Sequence, residues 1–136
     1  MDGYIERLRT EDLNLIIVKD DETLYTSSKI GMLPLFEAIK AVGLPTLKDS
    51  IVVDKVMGKA SALLVSYFKA KEVHCVVLSR RAIGVLDRQG VKYYSERLTP
   101  EIANKFGTDI CPFEKRVLDV DDPTEGYERL SIKMDY

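Results

Sequence analysis

The chain has few of the residues from which metal sites and disulfide frameworks are built. Among its 136 residues are two cysteines and one histidine. Two cysteines do not make a disulfide framework, so we expect a reducing, cytoplasmic location. His74 and Cys75 are neighbours on a predicted strand, point to opposite faces, and cannot share one metal without distortion. We therefore expect no metal and no cofactor, and we interpret both residues as fillers of a sheet.

The sequence also lacks long apolar runs and an excess of charge. No stretch approaches the roughly 20 apolar residues that a membrane span requires, and the N-terminus has no signal-peptide pattern. The net charge is −2, and the lysines and arginines are scattered. Composition thus disfavours nucleic acid and membranes as partners, although it leaves a local basic patch open. We expect one domain over residues 1–136.

Hydrophobic periodicity predicts a β-hairpin followed by alternating helices and strands. A short helix over 1–13 precedes the hairpin strands at 13–18 and 23–27. Further strands are predicted at 51–53, 73–78 and 91–96, and helices at 31–42, from 54 onward, at 80–89, 112–119 and 123–132. This order is typical of a mixed α/β sheet with helices on both faces.

Two segments are predicted to open helices in a way that suits a binding site: residues 53–61 (VDKVMGKAS) and 109–115 (DICPFEK). Helix N-termini present free N–H groups and a partial positive charge, which attract anions and thiolates. The first segment is not a phosphate loop, because Val53 and Ala60 stand where glycine and serine or threonine are required. The segments also lack the His-x-Glu and Pro-Cys-x-x-Cys patterns of zinc deaminases.

Lys55 and Lys59 lie four residues apart in the first turns of the predicted helix. Like charges at this spacing repel each other, and the helix dipole disfavours cations there. A bound anion would offset both penalties, and Gly58 would let it approach the backbone closely. The alternative is that Asp54 caps the helix and both lysines only reach water. These four residues are the first candidate ligand-binding set.

Cys111 stands at the N-cap of another predicted helix. A thiol in this position can act as a nucleophile, because free N–H groups favour the thiolate. Catalysis would also require a base, a role that Lys115 or a carboxylate would have to take. The alternative is a small buried residue at a helix start. Cys111 is the candidate catalytic residue, and Glu114 and Lys115 join the candidate ligand-binding set.

An acidic cluster precedes the last predicted helix. Asp119, Asp121 and Asp122 could bind Mg²⁺ through their carboxylates. The pattern favours a solvated connector instead, in which Asp122 caps the helix that begins at Pro123.

Three segments closely resemble a family of short bacterial and archaeal proteins, known as domain of unknown function eighteen ninety-three: residues 53–60, 107–115 and 118–123. The resemblance extends from about Asn14 to the last helix. It implies a cytidine-deaminase-like fold, a three-layer α/β/α sandwich that opens with a β-hairpin. In catalytic relatives of that fold, two helix N-termini supply zinc ligands. The matching positions here, 54–59 and 79–81, offer no ligand set.

These observations predict a zinc-free protein of the deaminase fold that binds a small anionic or nucleotide-like molecule. Its cleft would lie over the helix opening near Asp54, with Cys111, Glu114 and Lys115 on the opposite wall. One alternative is an enzyme that uses Cys111 as nucleophile. Another is a structural module that acts through self-association or a partner. Whether the protein is an enzyme, and whether it forms a homo-oligomer, stay open.

Overall fold

The computed structural model describes residues 3–103 and 111–134. Within them, five strands and seven helices form a mixed α/β protein. The strands are β1 (Leu15–Lys19), β2 (Glu22–Ser27), β3 (Ile51–Met57), β4 (Glu72–Ser79) and β5 (Lys92–Thr99). The helices are α1 (Gly3–Thr10), α2 (Leu33–Val42), α3 (Leu44–Leu47), α4 (Lys59–Tyr67), α5 (Arg80–Gln89), α6 (Pro112–Arg116) and α7 (Pro123–Met134).

The five strands form one sheet in the order β2-β1-β3-β4-β5. Strand β1 is antiparallel to both β2 and β3, whereas β3, β4 and β5 are parallel to one another. The predicted hairpin and the alternation after it are confirmed. The three parallel strands end at one edge of the sheet, beside the start of β1, and this edge positions the site.

The predicted boundary between β3 and the following helix is wrong. The strand continues to Met57 and α4 begins only at Lys59. The strand continues because Asp54 is paired with Leu15 on one side and Cys75 on the other. Asp54 therefore does not cap a helix, and the two lysines at 55 and 59 do not share one.

Two other boundaries also differ from the prediction. Helix α6 ends at Arg116 rather than at residue 119, because residues 117–119 form a turn. The helix predicted over residues 31–42 is followed by the extra turn α3, and Gly43 takes a positive φ of 91° between the two. Positions 109 and 110 of the second predicted helix opening lie outside the described residues.

The predicted start of the last helix and the predicted end of α5 are confirmed. Asp122 caps α7, since its Oδ2 accepts a hydrogen bond of 2.9 Å from the Glu125 N–H. Helix α5 ends at Gly90, which has a left-handed φ of 71°. In the part of the chain that the structure describes, no helix is long and apolar enough to cross a membrane.

Helix α4 is the centre of the larger core, because all its residues from Lys59 to Ser66 are buried. It packs against α2, α5 and α7. At Gly126 of α7 the helices approach so closely that a Cβ would lie 2.9 Å from Leu63 Cδ1. A second, smaller core lies between α1 and the sheet and contains Leu8, Ile16, Val18 and Val53. Neighbouring strand residues such as Val52 and Val53 belong to different cores, so the two cores use opposite faces of the sheet.

Candidate functional site

A cavity of about 230 Å³ lies beyond the carboxyl end of β3. Its walls come from the start of β1, the segment before α2, the β3–α4 connection and α6. The carboxyl end of a parallel strand is where α/β proteins commonly bind their ligands. The described lining residues are mostly apolar: Asn14, Ile30, Gly31, Met32, Asp54, Lys55, Val56, Gly58, Ala60, Ser61, Ile102, Cys111, Phe113 and Glu114.

Five of the seven predicted site residues line this cavity. They are Asp54, Lys55, Gly58, Cys111 and Glu114. Residues from both segments that the sequence singled out therefore line one cavity. Lys59 and Lys115 are not among the residues that line it.

The carboxylate of Glu114 occupies the N-terminus of α4. Its two oxygens accept hydrogen bonds from the backbone N–H groups of Lys59, at 2.8 Å, and Ala60, at 2.6 Å. Burial raises the pKa of Glu114, and these two hydrogen bonds act in the opposite direction. The position at which we predicted a bound anion is thus filled by a carboxylate of the same chain.

Gly58 allows this close approach. A Cβ at residue 58 would lie 2.7 Å from both Glu114 Cδ and Ile102 Cγ1, closer than nonbonded carbon atoms approach one another. Any larger residue would displace the carboxyl group of Glu114 or the side chain of Ile102. The sequence analysis assigned Gly58 to the approach of a ligand, whereas in the structure the group closest to it is Glu114.

The ammonium group of Lys59 is held by contacts within the protein. Its Nζ donates a hydrogen bond of 3.0 Å to the carbonyl oxygen of Leu118 and lies 3.3 Å from Asp121 Oδ1. The residue is only 7% exposed. Lys59 therefore joins α4 to the connector between α6 and α7. Lys115 is exposed on α6.

Asp54 is a buried acid on the cavity wall. Only 6% of the residue is exposed. Burial raises the pKa of Asp54 from 3.8 to about 8, against the effect of hydrogen bonds from the backbone of Lys55 and Val56. At neutral pH the side chain is therefore mostly a carboxylic acid, which can donate one hydrogen bond and accept another. The next residue, Lys55, is exposed.

Cys111 is half-buried and faces this cavity as the N-cap of α6. Its backbone N–H donates a hydrogen bond of 2.7 Å to the carbonyl oxygen of Ile102. Because both Asp54 and Glu114 line the same cavity, carboxyl groups are the acid–base partners that the site offers this thiol.

His74 lies on the α1 side of the sheet, away from this cavity. Its ring is stacked on Tyr94 at 4.7 Å and lies 4.8 Å from the ring of Tyr4. Its neighbour Cys75 is fully buried in the larger core, as expected for residues that point to opposite faces. Among the described residues, no group of three or more His, Cys, Asp or Glu side chains is arranged to hold a metal ion.

The sequence analysis missed most of the apolar wall. Met32, Val56, Ile102 and Phe113 come from four separate segments and meet only in the folded chain. Val56 and Phe113 lie in the two segments that the sequence analysis singled out, but neither was named as a site residue, and Met32 and Ile102 belong to no motif. The one local signal in the sequence is the glycine at position 31, which takes a positive φ of 84° in the structure.

Comparison with known proteins gives one family. The model of the family "TM1506: Domain of unknown function (DUF1893)" matches residues 4–134. Among solved structures, the chain is similar to the crystal structure of a DUF1893 family protein (TM1506) from Thermotoga maritima. The two chains are 27% identical with a TM-score of 0.83, over 98% of this chain and 92% of that one. A comparison with curated proteins gives no match. The family that the three segments resembled is confirmed: this chain belongs to the DUF1893 family.

Proposed function

We propose that the protein binds a small nucleotide-like molecule in the cavity beyond β3. The observation that carries the proposal is a largely apolar cavity with the buried acid Asp54 on its wall. Small-molecule sites typically combine apolar walls with a few placed polar groups, and Asp54, held by hydrogen bonds from the backbone of Lys55 and Val56, is such a group. Asp54 would supply this specificity.

The protonated Asp54 selects a particular kind of ligand edge. A carboxylic acid pairs best with a group that presents a hydrogen-bond donor next to an acceptor. The amide and amidine edges of nucleobases have this pattern. Apolar side chains such as Met32 and Phe113 suit the faces of a planar ring. The part of the ligand inside the cavity is therefore a neutral heterocycle.

A negative group on this ligand would lie at the rim. In the interior, Glu114 already accepts the hydrogen bonds of the Lys59 and Ala60 N–H groups, so these donors are not available to an anion. The exposed Lys55 is the cation among the described lining residues. We therefore assign the neutral ring to the interior and an anionic group, such as a phosphate, to Lys55.

Within the mixed α/β class, we also propose a more specific fold. We propose the three-layer, cytidine-deaminase-like arrangement that the family resemblance implies. It is supported by the opening hairpin, the β3-α4-β4-α5-β5 alternation, and cores on both faces of the sheet. We also propose a single domain in the cytoplasm, which two cysteines without a disulfide support.

The second candidate function is an enzyme with Cys111 as nucleophile. It is favoured by one observation: Cys111 shares the cavity with Asp54 and Glu114, so a thiol and two carboxyl groups lie around the same bound molecule. Turnover of a compound that binds the cavity, lost in Cys111→Ser, would support this candidate. Tight binding without turnover would favour the binding function over the enzyme.

A thermal-shift screen tests the proposed ligand class. Nucleobases, nucleosides and their monophosphates are compared on the unmodified protein and on Lys55→Ala. At a concentration of 100 times Kd, a ligand adds about 2.7 kcal/mol, which raises Tm by several degrees. We expect nucleosides and monophosphates to stabilise the protein, and Lys55→Ala to weaken only the monophosphates. Stabilisation by inorganic anions alone, at this cavity, would contradict the proposal.

A further inference from the structure

We propose that a second site, at the opposite end of the parallel strands, binds a multiply charged phosphate group. A cleft of about 450 Å³ lies where β3, β4 and β5 begin. Each of these strands brings at least one lysine to the cleft, either from the loop before it or, in β5, as its first residue. The four exposed lysines are Lys48, Lys69, Lys71 and Lys92. They are scattered in the sequence and meet because parallel strands start at the same edge of a sheet.

The four lysines are not neutralised by neighbouring acids. None of their ammonium groups has an ion pair or hydrogen bond with a described residue. Among the described residues that line the cleft, the acid is Asp49. Helices α4 and α5 also end here, and each contributes about half a negative charge. The cleft therefore keeps roughly two positive charges, which a bound dianion would balance.

A second observation also indicates a ligand at this cleft. Ser66 lines the cleft and is only 7% exposed, and its hydroxyl group has no hydrogen-bond partner in the described structure. A buried hydroxyl without a partner is uncommon in folded proteins. Lysine ammonium groups act as compact point charges that bind phosphate and would make the first contacts. The Ser66 oxygen is closed off in this structure, so its hydroxyl would add a directed hydrogen bond only after the side chain rotates.

Titration with pyrophosphate, followed by amide chemical shifts at low ionic strength, tests the inference. We expect saturable shifts that cluster at Ser66, Lys69, Lys71 and Lys92. The Lys69→Gln/Lys71→Gln variant should bind about tenfold more weakly, because it loses two charge-assisted contacts. The control, Lys29→Gln/Lys40→Gln, has the same net charge but alters exposed lysines outside the cleft, and should change the affinity less than about twofold.

Three results would overturn the inference. The first is the absence of saturable shifts at about 10 mM pyrophosphate. The second is equal weakening in both double variants, which would show a response to net charge alone. The third is tighter binding of a single-stranded oligonucleotide than of pyrophosphate at equal phosphate concentration, which would assign the cleft to nucleic acid. This test is independent of the cavity beyond β3, because the shifts report which end of the sheet is occupied.

Discussion

Glu114 and Lys59 are 55 positions apart, yet the side chain of one caps the helix that begins at the other. Glu114 Oε1 accepts a hydrogen bond of 2.8 Å from the Lys59 N–H, and Oε2 accepts one from the next residue, Ala60. The contact joins α6 to the first turn of α4. It also closes one wall of the cavity, because Glu114 and Gly58 both line it.

The first prediction concerns this cap. Glu114→Gln keeps the shape of the side chain but places an NH₂ group against one of the two N–H donors. We expect a loss of about 1–3 kcal/mol in the free energy of unfolding, measured by urea denaturation. Hydrogen exchange at the Lys59 and Ala60 amides should accelerate. The exposed Glu128→Gln is the control and should leave both quantities unchanged. Unchanged exchange in Glu114→Gln would show that the cap does not hold α4.

The second prediction concerns pH. The pKa of Asp54 is raised to about 8 in the folded protein, above its value of 3.8 in the absence of burial. The folded state therefore holds the proton more tightly, so this contribution to stability is complete below about pH 4 and is lost as pH rises towards 8. The asparagine side chain of Asp54→Asn cannot ionise, so this variant does not lose stability in this way as pH rises.

We therefore expect Asp54→Asn to gain stability relative to the unmodified protein as pH increases. Between pH 5 and 8 the difference in unfolding free energy should move in favour of the variant by about 2–4 kcal/mol. Urea denaturation at several pH values measures it. Glu114, whose pKa is also raised, is present in both proteins, and its effect cancels in the comparison. A difference that does not vary with pH would contradict a buried, protonated Asp54.

The third prediction separates the two lysines that the sequence analysis grouped together. Lys59→Ala removes a buried hydrogen bond from an ammonium group to the Leu118 carbonyl and should cost about 1.5–3 kcal/mol. The ion pair with Asp121 adds little, because that carboxylate is 56% exposed. Lys55→Ala, at an exposed position near the carboxyl end of β3, should change stability by less than about 0.5 kcal/mol. Equal losses in the two variants would contradict these assignments.

The fourth prediction concerns the two thiols. Cys75 is fully buried, whereas Cys111 is half-buried beside the cavity. Iodoacetamide should therefore label Cys111 in the folded protein and reach Cys75 only after unfolding, with a rate ratio of about 10³ or more. Peptide mass spectrometry identifies the labelled site. Comparable labelling of Cys75 under native conditions would show that β4 is not protected as described.

Local signals in the sequence predicted the parts of the structure that depend on near neighbours. The Asp122 cap and the end of α5 at residue 89 each follow from a few adjacent residues, and both are confirmed. The Glu114 cap could not be predicted, because no local pattern links a carboxylate to a helix 55 positions earlier. The β3 boundary was wrong for another reason: Asp54 looks like a polar strand end, whereas burial keeps it inside the strand.

The most direct test of ligand binding beyond β3 is to fill the cavity. Val56 lines it and is 44% exposed on β3; Leu98 is similarly exposed, at 50%, on β5 and does not line it. Thermal shifts with nucleosides and their monophosphates are measured on Val56→Phe and on the matched control Leu98→Phe. We predict that Val56→Phe abolishes the ligand-induced rise in Tm and that Leu98→Phe retains it. An equal rise in both variants, or no rise with any of these compounds on the unmodified protein, would contradict the account.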